Sequence, residues 1–332
     1  MNAIREVLAI PFGWALGALY DLSGNYLLSL IVITLVLRLA LLPFAVTQQK
    51  NSAKQMRLQA KVNKIRAKYA GQGREAQMKI SEETQELYRR EGFNANTAGC
   101  LPMLFQFVVM IGLYGAIYAP LTRVLHISDA ALTALSDAYY QVMGTAADAA
   151  RDAYRIQLNI LNKFDQIVPL LQNGGDVKQT DIDSIQGFID HFTIFGINLT
   201  EMPNEWKTIG FSILLIPIFA GVTSLLTAGY TYIKQRRTNP EMAKNPAMGC
   251  MSLTSPIISI VFSYTLPAGV GFYWIISNIL AFIQIIALDV LIKPADIIAG
   301  QMIDETVERR SREQSVKKRK ELLDAKNANG QN

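Results

Sequence analysis

Asn25 to Phe44 reads NYLLSLIVITLVLRLALLPF, a stretch whose only charge is Arg38. A helix needs about 20 predominantly apolar residues to cross a hydrocarbon core of about 30 Å, so this segment has the length and polarity of a transmembrane span. Outward from it, Leu101 to Leu121 and Ile209 to Ile233 carry no charge. Asn245 to Leu288 is also uncharged and is long enough for two spans, with Pro267-Ala-Gly-Val-Gly271 as the break between them. The pattern predicts an all-α polytopic membrane protein, a bundle of five transmembrane helices over 25–44, 101–121, 209–233, 250–266 and 269–291. The composition agrees. Of 332 residues half are apolar and 18% charged, and the mean hydropathy is +0.19, which excludes a disordered chain and disfavours an ordinary soluble enzyme.

Charge placement gives an orientation. Residues 45–98 hold 11 basic and 5 acidic side chains, 234–248 hold 4 and 1, and 293–332 hold 9 and 7, whereas 122–205 hold 5 basic and 11 acidic. Along a five-span path the three basic segments fall on one side and the acidic one on the other. By the positive-inside rule the expected protein is a multi-pass cell membrane protein with its N-terminus outside and its C-terminus in the cytoplasm. Its two cysteines, Cys100 and Cys250, then both lie at inner ends of spans, and no disulfide is expected.

Ahead of the first span, Ile4, Leu8, Phe12, Leu16 and Leu19 recur on one helical face. Residues 1–22 therefore read as an amphipathic helix lying in the outer interface. A cleaved secretory signal is the alternative; Glu6, Pro11, Gly13 and the lack of a small-x-small site argue against it. With no cysteine nearby, a lipid anchor there is not expected.

Between spans one and two, residues 45–98 contain two helix-length patterns separated by Gly71-Gln-Gly73. An antiparallel helical hairpin in the cytoplasm follows, its first arm carrying Lys54, Arg57 and Lys61. The tail over 293–332 concentrates Arg309, Arg310, Arg312, Lys317, Lys318, Arg319 and Lys320 against a single intervening acid, Glu313. Clusters of this kind suit anionic lipid, or are simply solvated. The 234–248 stretch is a short cytoplasmic loop, and 122–205 an extracytoplasmic helical segment without a catalytic motif. No phosphate loop, nucleophile elbow, internal repeat or metal-ligand spacing around His126 or His191 is visible, so no cofactor or metal is expected and no enzymatic chemistry.

Arg38 is the residue that asks for a function. It lies about 9 Å along the helix from the inner end of its span and about 20 Å from the outer end. A charge at mid-membrane costs about 2.5–3.5 kcal/mol on insertion scales, so it implies a polar cavity or a partner, unless the side chain snorkels to the headgroups. The only carboxylate at comparable depth is Asp289. Polar uncharged groups recur in the spans: Thr34 one turn before Arg38, Gln106, Thr223, Thr227, Ser259, Ser263, and then Trp274, Ser277, Asn278 and Gln284. Each on its own is what a helix contact uses. With an arginine among them they suggest a hydrophilic groove open to the cytoplasm.

The segments VLRLALLPF and TQQKNSAKQM after it, then NTAGCLPMLFQFVVMIGLY with Pro102 and Gln106, and finally FSYTLPAGVGFYWIISNILAFIQ resemble the YidC membrane protein insertases of the Oxa/YidC/Alb family, in the compact form without a large outer domain. In the last segment the resemblance rests on Leu266, Pro267, Gly269, Tyr273, Trp274, Asn278 and Gln284. It implies an insertase and foldase that moves short polar tails of nascent membrane proteins across the bilayer without ATP. In that family a span-one arginine attracts acidic residues of the client; the matching position is Arg38. Thr34, Gln106, Tyr273, Trp274, Asn278 and Gln284 would line the groove beside it. The resemblance also brings partners: nascent membrane proteins, a Sec translocon, and a ribosome held by the basic tail and hairpin, beside the anionic lipids that the charge implies. The 122–205 segment is unusually long for the family. A small-molecule or ion transporter remains the alternative, and an internal inverted repeat, not found, would favour it.

Overall fold

The structure is a computed structural model that describes residues 2–70, 73–93, 108–144, 155–171, 175–238 and 246–329. Its described residues are almost entirely helical and fall into two compact units, Met1–Leu42 with Cys100–Gln284, and Pro43–Gly99 with Ile285–Asn332.

In the first unit, α1 (Asn2–Ser23) is followed by α2 (Tyr26–Ala40). Asn25 starts α2 as its N-cap, the side-chain oxygen accepting from the Leu28 N–H at 3.0 Å. Tyr26, Ser29, Leu30, Ile33 and Thr34 form the buried stripe of α2, at the spacing of one helical face. They pack with Leu16 of α1 and with Leu113 and Ile117 of α5 (Val108–Tyr118) in one continuous core. On the opposite face Leu35, Val36 and Leu39 are exposed.

That same core runs through the 122–205 segment. The helices α6 (Asp129–Met143) and α7 (Gln179–Asp190) bury Leu135, Tyr139, Ile185 and Phe188 in it. Phe188 meets the Tyr26 ring edge-on at 5.1 Å and Phe192 lies 4.7 Å from it, so an aromatic cluster covers the start of α2. Beyond α7 comes an element the periodicity did not announce. Thr193–Ile194 and Ile197–Asn198 form a two-stranded antiparallel ribbon. Its turn, Phe195-Gly196, has positive φ at both residues, 48° and 80°, as a two-residue hairpin requires. Phenylalanine is a poor turn former, which is why the sequence concealed it.

Three longer helices of this unit follow, α8 (Leu215–Thr238), α9 (Pro246–Thr265) and the greater part of α10 (Ala268–Leu291). Small residues bring them close. A Cβ on Gly221 would lie 2.5 Å from Ile260, and one on Gly271 would lie 2.4 Å from Ile216. Ser224 and Ser255 share a hydrogen bond at 3.2 Å across α8 and α9. The Ala268 and Gly269 N–H groups, unsatisfied at the start of α10, donate to the Glu201 and Leu199 carbonyls at 2.8 Å each. Exposed Ile218, Phe219, Val222, Leu225, Ile257, Val261, Ile279 and Ile283 leave broad apolar faces, which suit hydrocarbon and not water.

Two described helices, Phe211–Arg237 and Ala268–Leu291, are long and apolar enough to span a membrane, and Tyr26–Ala40 with the helix after it makes a third if taken as one broken span. Val108–Tyr118 is a shorter apolar helix. After a break at Leu41 the chain resumes as α3 (Leu42–Lys68). Pro43 explains the break: it has no N–H for the preceding turn, yet fits the first turn of a new helix.

The second unit pairs α3 with α4 (Gly73–Arg90) as an antiparallel hairpin. Lys68 Nζ meets Glu83 Oε1 at 2.7 Å, and the Tyr69 hydroxyl donates to the same oxygen at 2.5 Å. Together they hold the Glu83 carboxyl below its ordinary range, Lys68 contributing most. At the other end Lys61 pairs with Glu91 and Lys54 donates to the Gly92 carbonyl at 3.3 Å. The tail is one long helix, α11 (Pro294–Asn329), and Glu305 on it pairs with Arg57 of α3.

Candidate functional site

The polar residues of the spans are sorted by what their side chains reach. Arg38 sits on α2, half-buried, two residues before the helix ends. Its Nη2 donates to the Ser277 carbonyl at 2.8 Å and to the Ser277 hydroxyl at 2.9 Å. Ser277 is on α10 and only 6% exposed. The guanidinium is therefore held sideways against a neighbouring helix, and it makes no ion pair in this unit among the described residues. In the second unit, Asp289 accepts from the Gln49 side chain at 2.5 Å.

The next residue of α10 makes the complementary link. Asn278 Nδ2 donates to the Ala220 carbonyl at 3.3 Å and to Thr223 Oγ1 at 3.4 Å, both on α8. One turn of α10 thus joins α2 through Ser277 and α8 through Asn278. Successive residues can do this because they project about 100° apart around a helix with 3.6 residues per turn.

Thr34 is buried but not directed at Arg38; its hydroxyl donates to the Leu30 carbonyl of its own helix at 2.6 Å. This is the ordinary satisfaction of a threonine in an apolar helix. Tyr273 is 5% exposed, in the core with Ile216 and Val270. Trp274 stacks on Phe262 of α9, with ring centroids 5.5 Å apart. Gln284 Oε1 is buried and without a hydrogen-bond partner among the described residues. Gln106 lies outside the described residues, as does Cys100. The structure therefore brings Arg38 of α2 against the turn of α10 that carries Ser277 and Asn278, and sends Thr34 and Trp274 to other partners. Ser277, which the sequence flagged only as one polar residue among several, is the contact that holds Arg38. Its signal was being next to Asn278 in the span opposite the arginine.

The basic residues divide in the same way. Lys54, Arg57 and Lys61 are occupied by Gly92, Glu305 and Glu91. On α11, Arg309 is 3.8 Å from Glu313 and Arg312 is 2.7 Å from Glu308, as helical i,i+4 pairs. Arg310, Lys317, Lys318, Arg319 and Lys320 are exposed and form no ion pair among the described residues. Neither histidine belongs to a metal-holding cluster among the described residues: His126 is exposed, and His191 caps α7 with its Nδ1 2.9 Å from the Gly187 carbonyl.

Comparison with known proteins gives a consistent result. Membrane protein insertase YidC 1 of Halalkalibacterium halodurans is 23% identical over 262 residues, which cover 79% of this chain and 69% of that protein. Membrane protein insertase MisCA of Bacillus subtilis is 25% identical over 310 residues, 89% of this chain and 86% of the relative. A third relative, membrane protein insertase YidC 1 of Streptococcus pyogenes, is 25% identical over 299 residues, 90% of this chain and 78% of its own. The sequence model of the 60Kd inner membrane protein family matches residues 18–294, which takes in both sides of the Arg38–Ser277 contact. With apolar helices built for a bilayer and most of its length matched, the chain is a membrane-embedded member of the 60Kd inner membrane protein family.

Proposed function

We propose that this chain is a membrane protein insertase, of the kind its relatives' names describe. It works with five spans, N-terminus out and C-terminus in, and a hydrophilic groove that opens to the cytoplasm. The observation that carries the reading is Arg38, a half-buried cation on an apolar helix that is hydrogen-bonded to α10 and has no ion-pair partner in its unit among the described residues. A charge retained in a span at such cost is a functional group by default. Its chemical complement is a carboxylate on the short polar tail of a nascent membrane protein.

The energetics need no nucleotide. A groove shortens the apolar path and supplies hydrogen-bond partners to a polar tail. Each negative charge moving outward gains about 2.3 kcal/mol per 100 mV of membrane potential. Burial of the client's apolar segment in lipid supplies the remainder, at about 25 cal/mol per Å². The exposed cations of α11 suit the phosphate backbone of ribosomal RNA, or anionic lipid, and a Sec translocon is a further candidate partner. The test is reconstitution. In liposomes holding only this protein and a membrane potential, a single-span client with a short outer tail should insert without ATP. Insertion at the rate of empty liposomes would refute the proposal.

A further inference from the structure

We infer that Ser277 is the positioning residue for Arg38, its hydroxyl keeping the guanidinium in the groove and so setting the preference for acidic client tails. This rests on the insertase reading above and deepens it. A guanidinium presents five N–H donors in a fixed planar fork. In this structure a single nitrogen is tethered: Nη2 serves both Ser277 acceptors, while Nε and Nη1 make no hydrogen bond among the described residues. The grip therefore fixes where the charge is and leaves two of three nitrogens to bind something else. A tether through an ion pair would have cancelled the charge; one through a serine hydroxyl and a helix carbonyl does not.

The hold has a competitor. Arg38 is about 9 Å along the helix from the inner end of its span, within reach of an arginine that snorkels to the headgroups. A charge that has snorkelled is hydrated and screened, and it no longer meets the client inside the bilayer. Two charge-assisted hydrogen bonds to Ser277 oppose that escape. The serine is itself placed. Asn278 beside it is bonded to Ala220 and Thr223 of α8, so the turn of α10 that carries both residues is fixed against two helices. Ser277 is only 6% exposed, which leaves its hydroxyl little water to exchange Arg38 for.

The two acceptors can be separated by mutation, because the carbonyl stays in any variant and only the hydroxyl changes. Ser277→Thr and Ser277→Val have the same branched shape and differ in the hydroxyl alone. Both are reconstituted at matched amounts with Arg38→Ala and wild type, using two clients that differ in one outer-tail residue, Asp or Asn. The quantity read is the ratio of Asp-tail to Asn-tail insertion, which a general folding defect does not move. Arg38→Ala should lower the ratio, Ser277→Val should lower it by about tenfold, the worth of one hydrogen bond to a charged group, and Ser277→Thr should restore it to within about twofold of wild type. Equal ratios for the Val and Thr variants, with Arg38→Ala still low, overturn the role of Ser277 and leave the insertase reading standing. An unchanged ratio for Arg38→Ala overturns the underlying reading, and the inference with it.

Discussion

Arg57 of α3 and Glu305 of α11 form an ion pair in which the arginine side chain is only 12% exposed. The tail helix is therefore attached to the hairpin through a residue that a reading of charge alone would assign to an external polyanion. Burial with a partner changes its meaning: Arg57 is a structural contact between helices, and its charge is already answered.

This pair makes the attachment sensitive to acid. Arg57 lowers the Glu305 carboxyl from its ordinary range. A depressed carboxylate stabilises the folded state above its unfolded pKa of about 4.3, and that contribution is lost as pH falls through the lower folded value. Because Glu305 is about half exposed, the pair is worth less than about 1 kcal/mol. We predict that Glu305→Gln accelerates amide exchange in the first turns of α11 severalfold at pH 7 and that the difference from wild type shrinks as pH falls below about 4.3, vanishing once the depressed carboxyl is itself protonated. Equal exchange at pH 7 would show that the pair does not hold the helix.

Gly112 of α5 lies directly against α1. A Cβ there would stand 2.3 Å from the Phe12 ring and 3.1 Å from the Leu8 carbonyl, and backbone cannot step aside as a side chain can. Gly112→Val should cost about 1–3 kcal/mol through overpacking and loosen α1, with increased protease cleavage around Phe12 as the readout.

The exposed cations of α11 should act together and through charge alone. Replacing Lys317, Lys318, Arg319 and Lys320 by Gln is expected to lower cosedimentation with ribosomes at low salt and to flatten its salt dependence. The paired Lys54, Arg57 and Lys61 should matter less to it. The comparison is made in detergent, where anionic lipid is absent; equal cosedimentation of the variant and wild type there would assign the tail to lipid.

Orientation is checked by thiol labelling of intact cells. The acidic 122–205 segment should face outward, so Asp176→Cys, at an exposed position, is expected to react with an impermeant reagent. Native Cys100 and Cys250 should react only after the membrane is opened. Labelling of Cys250 from outside would reverse the proposed topology.

What could be read from the sequence, and what could not, follows from the range of the forces involved. Charge-free runs and their flanking cations are local, and they announced the apolar helices and the hairpin. Arg38 was conspicuous for the same reason, a charge where none belongs. Its partner was not legible, because Ser277 lies 239 residues away and an uncharged hydroxyl looks the same whether it holds an arginine or its own helix. Thr34 was ambiguous in the same way: its place one turn from Arg38 does not reveal that its hydroxyl donates to the Leu30 carbonyl of its own helix. Lys54, Arg57 and Lys61 looked available because the acids that pair with two of them, and the Gly92 carbonyl that takes the third, come together only in the folded hairpin and tail.

The account depends most on the charge at position 38. The direct measurement is insertion of the Asp-tailed and Asn-tailed clients by wild type, Arg38→Ala and Arg38→Lys, reconstituted at equal amounts under a fixed membrane potential. Attraction of a carboxylate by charge alone would let lysine serve nearly as well as arginine. The contact with Ser277 revises that, because one ammonium nitrogen cannot both keep the serine's two acceptors and present two free nitrogens to a carboxylate. The account predicts that Arg38→Ala abolishes the advantage of the Asp tail, about tenfold or more, and that Arg38→Lys retains only part of it. Identical handling of both clients by all three proteins, at wild-type rates, would contradict it.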